Sequence, residues 1–101
     1  MSQRLLIRQL KGHTGCVRSV CVTPDNKHVV SASDDYTIRI TRISDGKLIR
    51  EIKGHTAYIS DICVTPDGKH VVSGSFDKTI RVTRIEDGKL LGLGFFCFIF
   101  N

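Results

Sequence analysis

Several features that would mark a particular class of protein are missing from this sequence. It contains no tryptophan, and its four cysteines form no C-x-x-C pair and have no histidine at zinc-finger spacing, which argues against a zinc site. We therefore expect reduced structural thiols in a cytoplasmic protein, with Cys21 and Cys63 buried among apolar strand residues. The first apolar run ends at Arg8 after three residues, so we expect no secretion signal.

Strong charge and long apolar segments are also missing. The net charge is +5, from 15 basic and 10 acidic residues, and the basic residues are spread along the chain rather than gathered in a tail. The longest apolar stretch, Leu90–Phe100, is shorter than the roughly 20 residues of a membrane-spanning helix. It has two leading interpretations: an altered or truncated end without selected function, or a fourth strand that another chain covers. A membrane anchor is the third interpretation and ranks below both.

What the sequence does contain is an internal repeat. Residues 11–52 and 53–94 are identical at 26 of 42 aligned positions, and the hairpin Ser73–Ile85 repeats Ser31–Ile43. Each block has four short runs of strand-forming residues joined by turns such as T-P-D and D-G-K, with no helical periodicity. The pattern predicts an all-β fold built from two propeller blades of four antiparallel strands, which together make a partial propeller.

The repeated motifs resemble those of the WD-repeat family. Gly12-His13 and Gly54-His55 match the family's Gly-His dipeptide, and S-A-S-D-D-Y-T-I-R-I and S-G-S-F-D-K-T-I-R-V match its second and third strands. The resemblance implies the outer strand of a preceding or closing blade at residues 4–10, repeats at 11–52 and 53–90, and an atypical apolar tail at 91–101.

The resemblance also implies a structural hydrogen-bond network in each blade. Family members join an Asp, the Gly-His histidine, a Ser or Thr and a Trp. Here the Trp-Asp positions hold Thr41-Arg42 and Thr83-Arg84, so the fourth member is missing from both blades. The three remaining members are His13, Ser31 and Asp35 in the first blade and His55, Ser73 and Asp77 in the second.

A Ser-His-Asp set also suggests a catalytic triad, but this set occurs twice, at positions to which the resemblance gives a structural role. The only acidic pair is Asp34-Asp35, too few oxygens for a calcium loop, and no glycine-rich phosphate loop is present. We therefore predict no enzyme activity, no catalytic residue, no metal and no cofactor.

The remaining candidate is a protein-binding surface at the end of the blades where loops gather. The resemblance places six residues there, of which Tyr58 and Phe76 are candidate aromatic anchors, although local packing of the turn would explain them equally well. The six are Cys16, Arg18, Asp34, Tyr58, Ser60 and Phe76.

The sequence thus predicts a non-enzymatic scaffold for protein–protein interactions, without a small-molecule substrate. Because a propeller ring has about 4–8 blades, two blades indicate either a homo-oligomer or a remnant of a larger propeller. One alternative is membrane association through Leu90–Phe100. Another is binding of nucleic acid or an acidic surface; we rank both below the scaffold. The arginines of that second alternative are Arg18, Arg39, Arg42, Arg81 and Arg84.

Overall fold

Two four-stranded antiparallel sheets form the fold of the computed structural model, which describes residues 9–95. Strands follow one another in chain order within each sheet, and no helix occurs in the described range, so the predicted all-β blades are confirmed. Most of the predicted outer strand at residues 4–10, and the tail beyond residue 95, lie outside the described residues. The strands are β1 Val17–Val22, β2 His28–Ser33, β3 Ile38–Arg42, β4 Leu48–Ile52, β5 Ile59–Val64, β6 His70–Ser75, β7 Thr79–Arg84 and β8 Leu90–Phe95.

The first part of the apolar tail is a strand. Residues Leu90–Phe95 form β8, which pairs antiparallel with β7 and completes the second sheet. These six residues therefore form a fourth strand, while the part of that interpretation in which another chain covers the strand stays a prediction. Strand β8 therefore begins at the predicted limit of the second repeat, residue 90, and extends five residues beyond it.

The turn after each first strand forms as the T-P-D sequence predicts. The amide of Asn26 donates to the carbonyl of Thr23 across 2.8 Å, which closes the turn. Asp25 accepts from the Thr23 hydroxyl at 2.6 Å and from the Lys27 amide at 2.9 Å. The second blade repeats this arrangement around Asp67. Side-chain hydrogen bonds of this kind fix the turn locally and set the register of the two strands that it joins.

The hydrophobic core lies between the two sheets. One face of the first sheet packs against the inner strand β5 of the second, and the side chains that meet there are almost fully buried. The buried apolar residues are Val30, Ala32, Ile38, Ile40 and Ile52 of the first sheet and Ile59, Ile62, Val64 and Val71 of the second.

The prediction that both repeated cysteines are buried is wrong for Cys63. Cys21 is partly buried and packs against the core, whereas Cys63 is exposed. Each is paired in register with a valine on the same face of its sheet, Cys21 with Val30 and Cys63 with Val72. The second sheet covers this face in the first blade, and no described residue covers it in the second.

Polar contacts also join the blades at the outer and inner strands. The guanidinium of Arg50 on β4 donates from Nε to the carbonyl of Ile85 at 3.1 Å and from Nη2 to that of Glu86 at 2.7 Å. Ser19 on β1 donates its hydroxyl to Asp61 on β5 at 3.1 Å. Because β4 and β1 lie at opposite edges of the first sheet, these contacts fix the rotation of one blade relative to the other.

Replacing Arg50 tests the contribution of this contact between blades. We expect Arg50→Ala to lower the free energy of unfolding by about 1.5–3 kcal/mol, since two charge-assisted hydrogen bonds are lost. Urea unfolding at one fixed protein concentration measures this. The matched control is Arg42→Ala, because Arg42 donates only to Asp45 in its own exposed turn and should change stability little. Equal effects of the two substitutions would contradict the assigned role of Arg50.

Candidate interaction surface and the network that supports it

The loops at one end of each blade are held by a histidine between two strands. In the second blade, His55 Nδ1 donates to Asp77 Oδ2 at 2.8 Å, and Nε2 lies 2.8 Å from the hydroxyl of Ser73. His55 precedes β5, Ser73 lies on β6 and Asp77 lies in the turn before β7. One side chain therefore connects β6 to two loop segments that lie outside the strand pairing.

The carboxylate of Asp77 accepts several hydrogen bonds at this end of the blade. Besides the bond from His55, its carboxylate accepts from the hydroxyl and amide of Thr79 and from the amide of Thr56 at 3.0 Å. Burial by itself raises the pKa of Asp77. The hydrogen bonds from Thr79, His55 and Thr56 outweigh burial and hold the pKa well below its usual range. The ionised carboxylate is thus part of the folded structure.

The first blade has the same network. His13 lies 2.8 Å from both Asp35 and Ser31, and Asp35 also accepts from Thr37 and from the amide of Thr14. Burial by itself raises the pKa of Asp35, but the hydrogen bonds hold it well below its usual range. The structure thus brings together all three residues that the sequence indicates for each blade. It adds Thr37 and Thr79, which the shared T-I-R run could have indicated.

Threonine fills the place that the resemblance gives to tryptophan. Thr41 and Thr83 are 8% and 3% exposed, respectively. In the described part of the chain, no hydrogen bond joins either hydroxyl to the serine of its blade, so each network stops at that serine. Ser73 is 1% exposed and His55 is 6% exposed, so these two side chains of the second blade are almost fully buried, although His55 borders a pocket that Thr14 and Asp35 also line.

The histidine is expected to be the critical member of the network. We predict that His55→Ala lowers the free energy of unfolding by about 2–4 kcal/mol, because the Asp77 carboxylate and the Ser73 hydroxyl lose a partner while they remain buried. The control is His70→Ala, at the half-exposed start of β6 and outside the network. If chemical denaturation shows the same loss for both variants, the network has no special role.

The low pKa values of Asp35 and Asp77 predict a loss of stability in acid. Since each folded-state pKa is depressed, the contribution is complete above the unfolded pKa of about 3.9 and is lost as the pH falls towards the folded value. We expect Asp77→Asn to be less stable than the wild type at pH 7 and to lose less stability between pH 7 and pH 3. Denaturant unfolding across this range is the measurement, and parallel curves for the two proteins would contradict the assignment.

Three aromatic side chains lie beside one another at the same end of the blades. The ring centroids of Tyr36 and Tyr58 are 6.0 Å apart, and those of Tyr58 and Phe76 are 6.2 Å apart. We call these three residues the aromatic patch. All three are exposed, and Phe76 is 66% exposed. The patch crosses the junction of the blades, because Tyr36 belongs to the first blade and the other two belong to the second.

The backbone and one ion pair hold the patch in place. The carbonyl of Tyr58 accepts from the amide of Phe76 at 2.9 Å, as that of Cys16 accepts from Asp34 at 2.8 Å in the first blade. Arg18 donates twice to Asp34, at 2.8 and 2.9 Å, and its guanidinium carbon lies 5.8 Å from the centre of the Tyr58 ring. The patch therefore has a cationic edge that is already partly neutralised.

Contacts described above connect five of the six predicted surface residues, namely Cys16, Arg18, Asp34, Tyr58 and Phe76. Ser60 borders a cavity near Val72 and Gly74. Cys16 and Ser60 are exposed, and the Ser60 hydroxyl donates to the carbonyl of Gly74 at 3.2 Å. Sequence reasoning missed Tyr36, because its counterpart in the second repeat is Lys78. Tyr36 has a φ of 73°, in the left-handed region that costs a non-glycine residue roughly 1–2 kcal/mol. This strained turn carries the tyrosine of the first blade into the patch.

The arginines of the nucleic-acid alternative are mostly paired with carboxylates. Arg18 binds Asp34, as described above. Arg81 is the exception in this set, because its side chain has no hydrogen-bond partner among residues 9–95 and its Nε is buried. The other pairs are Arg39 with Glu51, Arg42 with Asp45 and Arg84 with Asp87. Paired arginines offer a phosphate backbone less positive charge than the sequence suggests.

Two further features bear on the site. Among residues 9–95, no group of three or more His, Cys, Asp or Glu side chains could hold a metal ion. The described residues likewise include no helix that is long and apolar enough to cross a membrane.

Comparison with known proteins identifies the family. The model of the WD domain, G-beta repeat, matches residues 4–41 and 46–83. The chain belongs to this family. Solved WD40 structures support the same conclusion at the level of the fold: the RRP9 WD40 repeats and U3-55K each superpose with a TM-score of 0.84 and 26% sequence identity. Each covers 87% of this chain, which spans 28% and 29% of the respective solved chains.

Two curated WD-repeat proteins are similar to this chain over about the length of one repeat. The nuclear distribution protein PAC1 of Candida albicans is 49% identical over 43 residues, which is 43% of this chain and 9% of PAC1. The pre-mRNA-splicing factor PRP46 of Yarrowia lipolytica is 45% identical over 42 residues, 42% of this chain and 10% of PRP46. The matched part of this chain thus corresponds to about a tenth of the length of these relatives.

Proposed function

We propose that this WD-repeat protein is a non-enzymatic scaffold that binds a protein partner through the aromatic patch and the adjoining Arg18. The observation that carries the proposal is a row of three neighbouring aromatic rings, exposed at the loop end and spanning two blades. Aromatic and arginine side chains dominate the binding energy of protein interfaces. The hydrogen bonds around Tyr58 and Phe76 hold this surface in shape before binding, which reduces the ordering cost.

The absence of catalysis belongs to the same proposal. The two Ser-His-Asp sets take part in fixing loops, and each carboxylate is fully used by donors from its own blade. A role in binding is also in keeping with the relatives, whose names place them in nuclear distribution and pre-mRNA splicing. The cytoplasmic location expected from the sequence stays a prediction, as does the homo-oligomer.

The test is quantitative capture with the purified full chain as bait. Proteins retained by the wild type should bind Phe76→Ala and Tyr58→Ala about 30-fold or more weakly, the loss expected when an interface hot spot is truncated. The matched control is Ile49→Ala, an exposed apolar residue on β4 away from the patch. Retention that is unchanged in both patch variants would overturn the proposal.

Salt and nuclease treatment distinguish the nucleic-acid alternative. A partner held by the aromatic patch should remain bound when the salt concentration rises from 50 to roughly 200 mM and after nuclease digestion. Binding through six or more phosphates would fall by about a thousandfold over that range. Bound material that is lost on both treatments would favour the alternative and contradict the patch.

A further inference from the structure

Equivalent faces of the two sheets differ sharply in exposure. Val17, Val20 and Val22 of β1 point to the side of the first sheet that faces away from the second sheet. We call these three residues the front face. The equivalent residues of β5 lie buried against the first sheet. The exposed fractions are 50% for Val17 against 0% for Ile59, 65% for Val20 against 8% for Ile62, and 49% for Val22 against 9% for Val64.

The opposite side of the molecule shows the complementary difference. In the first sheet, β1 and β2 contact β5, and the buried residues of β2 and β3 on that face belong to the same hydrophobic cluster as those of β5. The same face of the second sheet, which we call the back face, is only partly buried and holds a shallow cavity of about 210 Å³ near Val72, Gly74 and Ile80. The equivalent pairs are Val30 and Val72, Ala32 and Gly74, Ile38 and Ile80, and Ile40 and Val82.

The internal junction shows what fits these two faces. At this junction, the face of the first sheet that is equivalent to the back face packs against Ile59, Ile62 and Val64, which are equivalent to the front face. The two repeats are identical at 26 of 42 positions. At each of the seven positions compared above, the free faces carry either the same residue or a smaller apolar one, so they repeat the apolar pattern of a junction that already exists in the molecule. A second copy of this chain carries both of them.

The polar contact at the internal junction can also form at a junction between two copies. Within the chain, the Ser19 hydroxyl donates to Asp61, and the two occupy equivalent positions of their repeats. Between two copies, Asp61 of one copy would take the place of Ser19, and Ser19 of the other would take the place of Asp61. Donor and acceptor exchange sides but still form a pair, so neither group is buried without a partner.

We infer that copies of this chain associate head to tail, with the front face of one copy packed on the back face of the next. A heterologous interface of this kind closes into a ring when the rotation permits. Because propellers have about 4–8 blades and residues 9–95 of each copy supply two, the expected ring holds two, three or four copies. This inference deepens the homo-oligomer named above, and it is independent of the aromatic patch.

Several differences make the new junction weaker than the internal one. Smaller residues take the places of buried core residues: Val17 for Ile59, Val20 for Ile62, Gly74 for Ala32, Val82 for Ile40 and Gly94 for Ile52. A polar contact is lost as well. Arg50, which binds two carbonyls of the second blade, has Gly92 as its counterpart on β8. A Cβ atom at Gly92 would meet only Val82, at an ordinary contact distance of 3.8 Å. Gly92→Arg can therefore supply a guanidinium towards the carbonyl of Ile43 in the next copy, the counterpart of the Ile85 carbonyl that Arg50 binds.

The test measures the solution mass of the purified full chain by light scattering over a range of concentrations. The wild type should associate to two, three or four times 11.3 kDa. Val20→Asp and Ile80→Asp each place a charge in one of the two faces and should weaken association about 100-fold or more. An equimolar mixture of the two variants should form a heterodimer, because one intact front face meets one intact back face. Gly92→Arg should lower the concentration at which the wild type associates.

Controls separate this result from loss of folding and from the aromatic patch. Phe76→Asp, which changes an exposed residue outside both faces, should leave the mass unchanged. Should Ile80→Asp lose its β-sheet spectrum, Cys63→Asp replaces it, since Cys63 is exposed on the back face. In the wild type, alkylation of Cys63 should slow as concentration rises, while that of exposed Cys16 should not. A wild-type mass of one chain at every concentration, or no heterodimer in the mixture, would overturn the inference.

Discussion

A sheet in this protein buries its apolar face only where a second sheet covers it. Ile62 and Val20 occupy the same position of two nearly identical repeats, yet one is buried and the other is exposed, because only Ile62 has a sheet packed against it. Burial is thus a property of the neighbouring blade rather than of the strand itself. This is the general condition of repeat proteins, in which each unit contributes half of every interface.

The hydrogen-bond network around His55 and Asp77 stabilises the loop end of the blade rather than the contact between sheets. Strand pairing fixes the four strands of a blade but does not include the loops at its end. His55 and Asp77 help to fix these loops by joining the segment before β5 to the turn before β7. Phe76 is the neighbour of Asp77 in that turn, so the same hydrogen bonds that stabilise the blade also position an exposed aromatic ring.

Comparison of the two repeats predicts those structural features whose residues occur in both repeats. The strands, the T-P-D turn and the His55–Asp77 pair follow from the repeat, since the same local chemistry occurs twice and folds twice. Tyr36 could not be found in this way, because only one repeat carries a tyrosine in that turn. Cys63 could not be placed either, because its exposure depends on whether another blade covers it, which is not encoded in the residues around it.

The interface between copies and the aromatic patch use different parts of the blade, so they do not compete. The front and back faces are the flat sides of the sheets, whereas the patch lies at the loop end, on both sides of the internal junction. At a junction between copies, Lys78 and Cys16 would take the places of Tyr36 and Tyr58. A ring would therefore present one aromatic patch per copy, separated by junctions without aromatic pairs. Weak binding to each patch could then combine into a much stronger attachment to a partner that carries several matching sites.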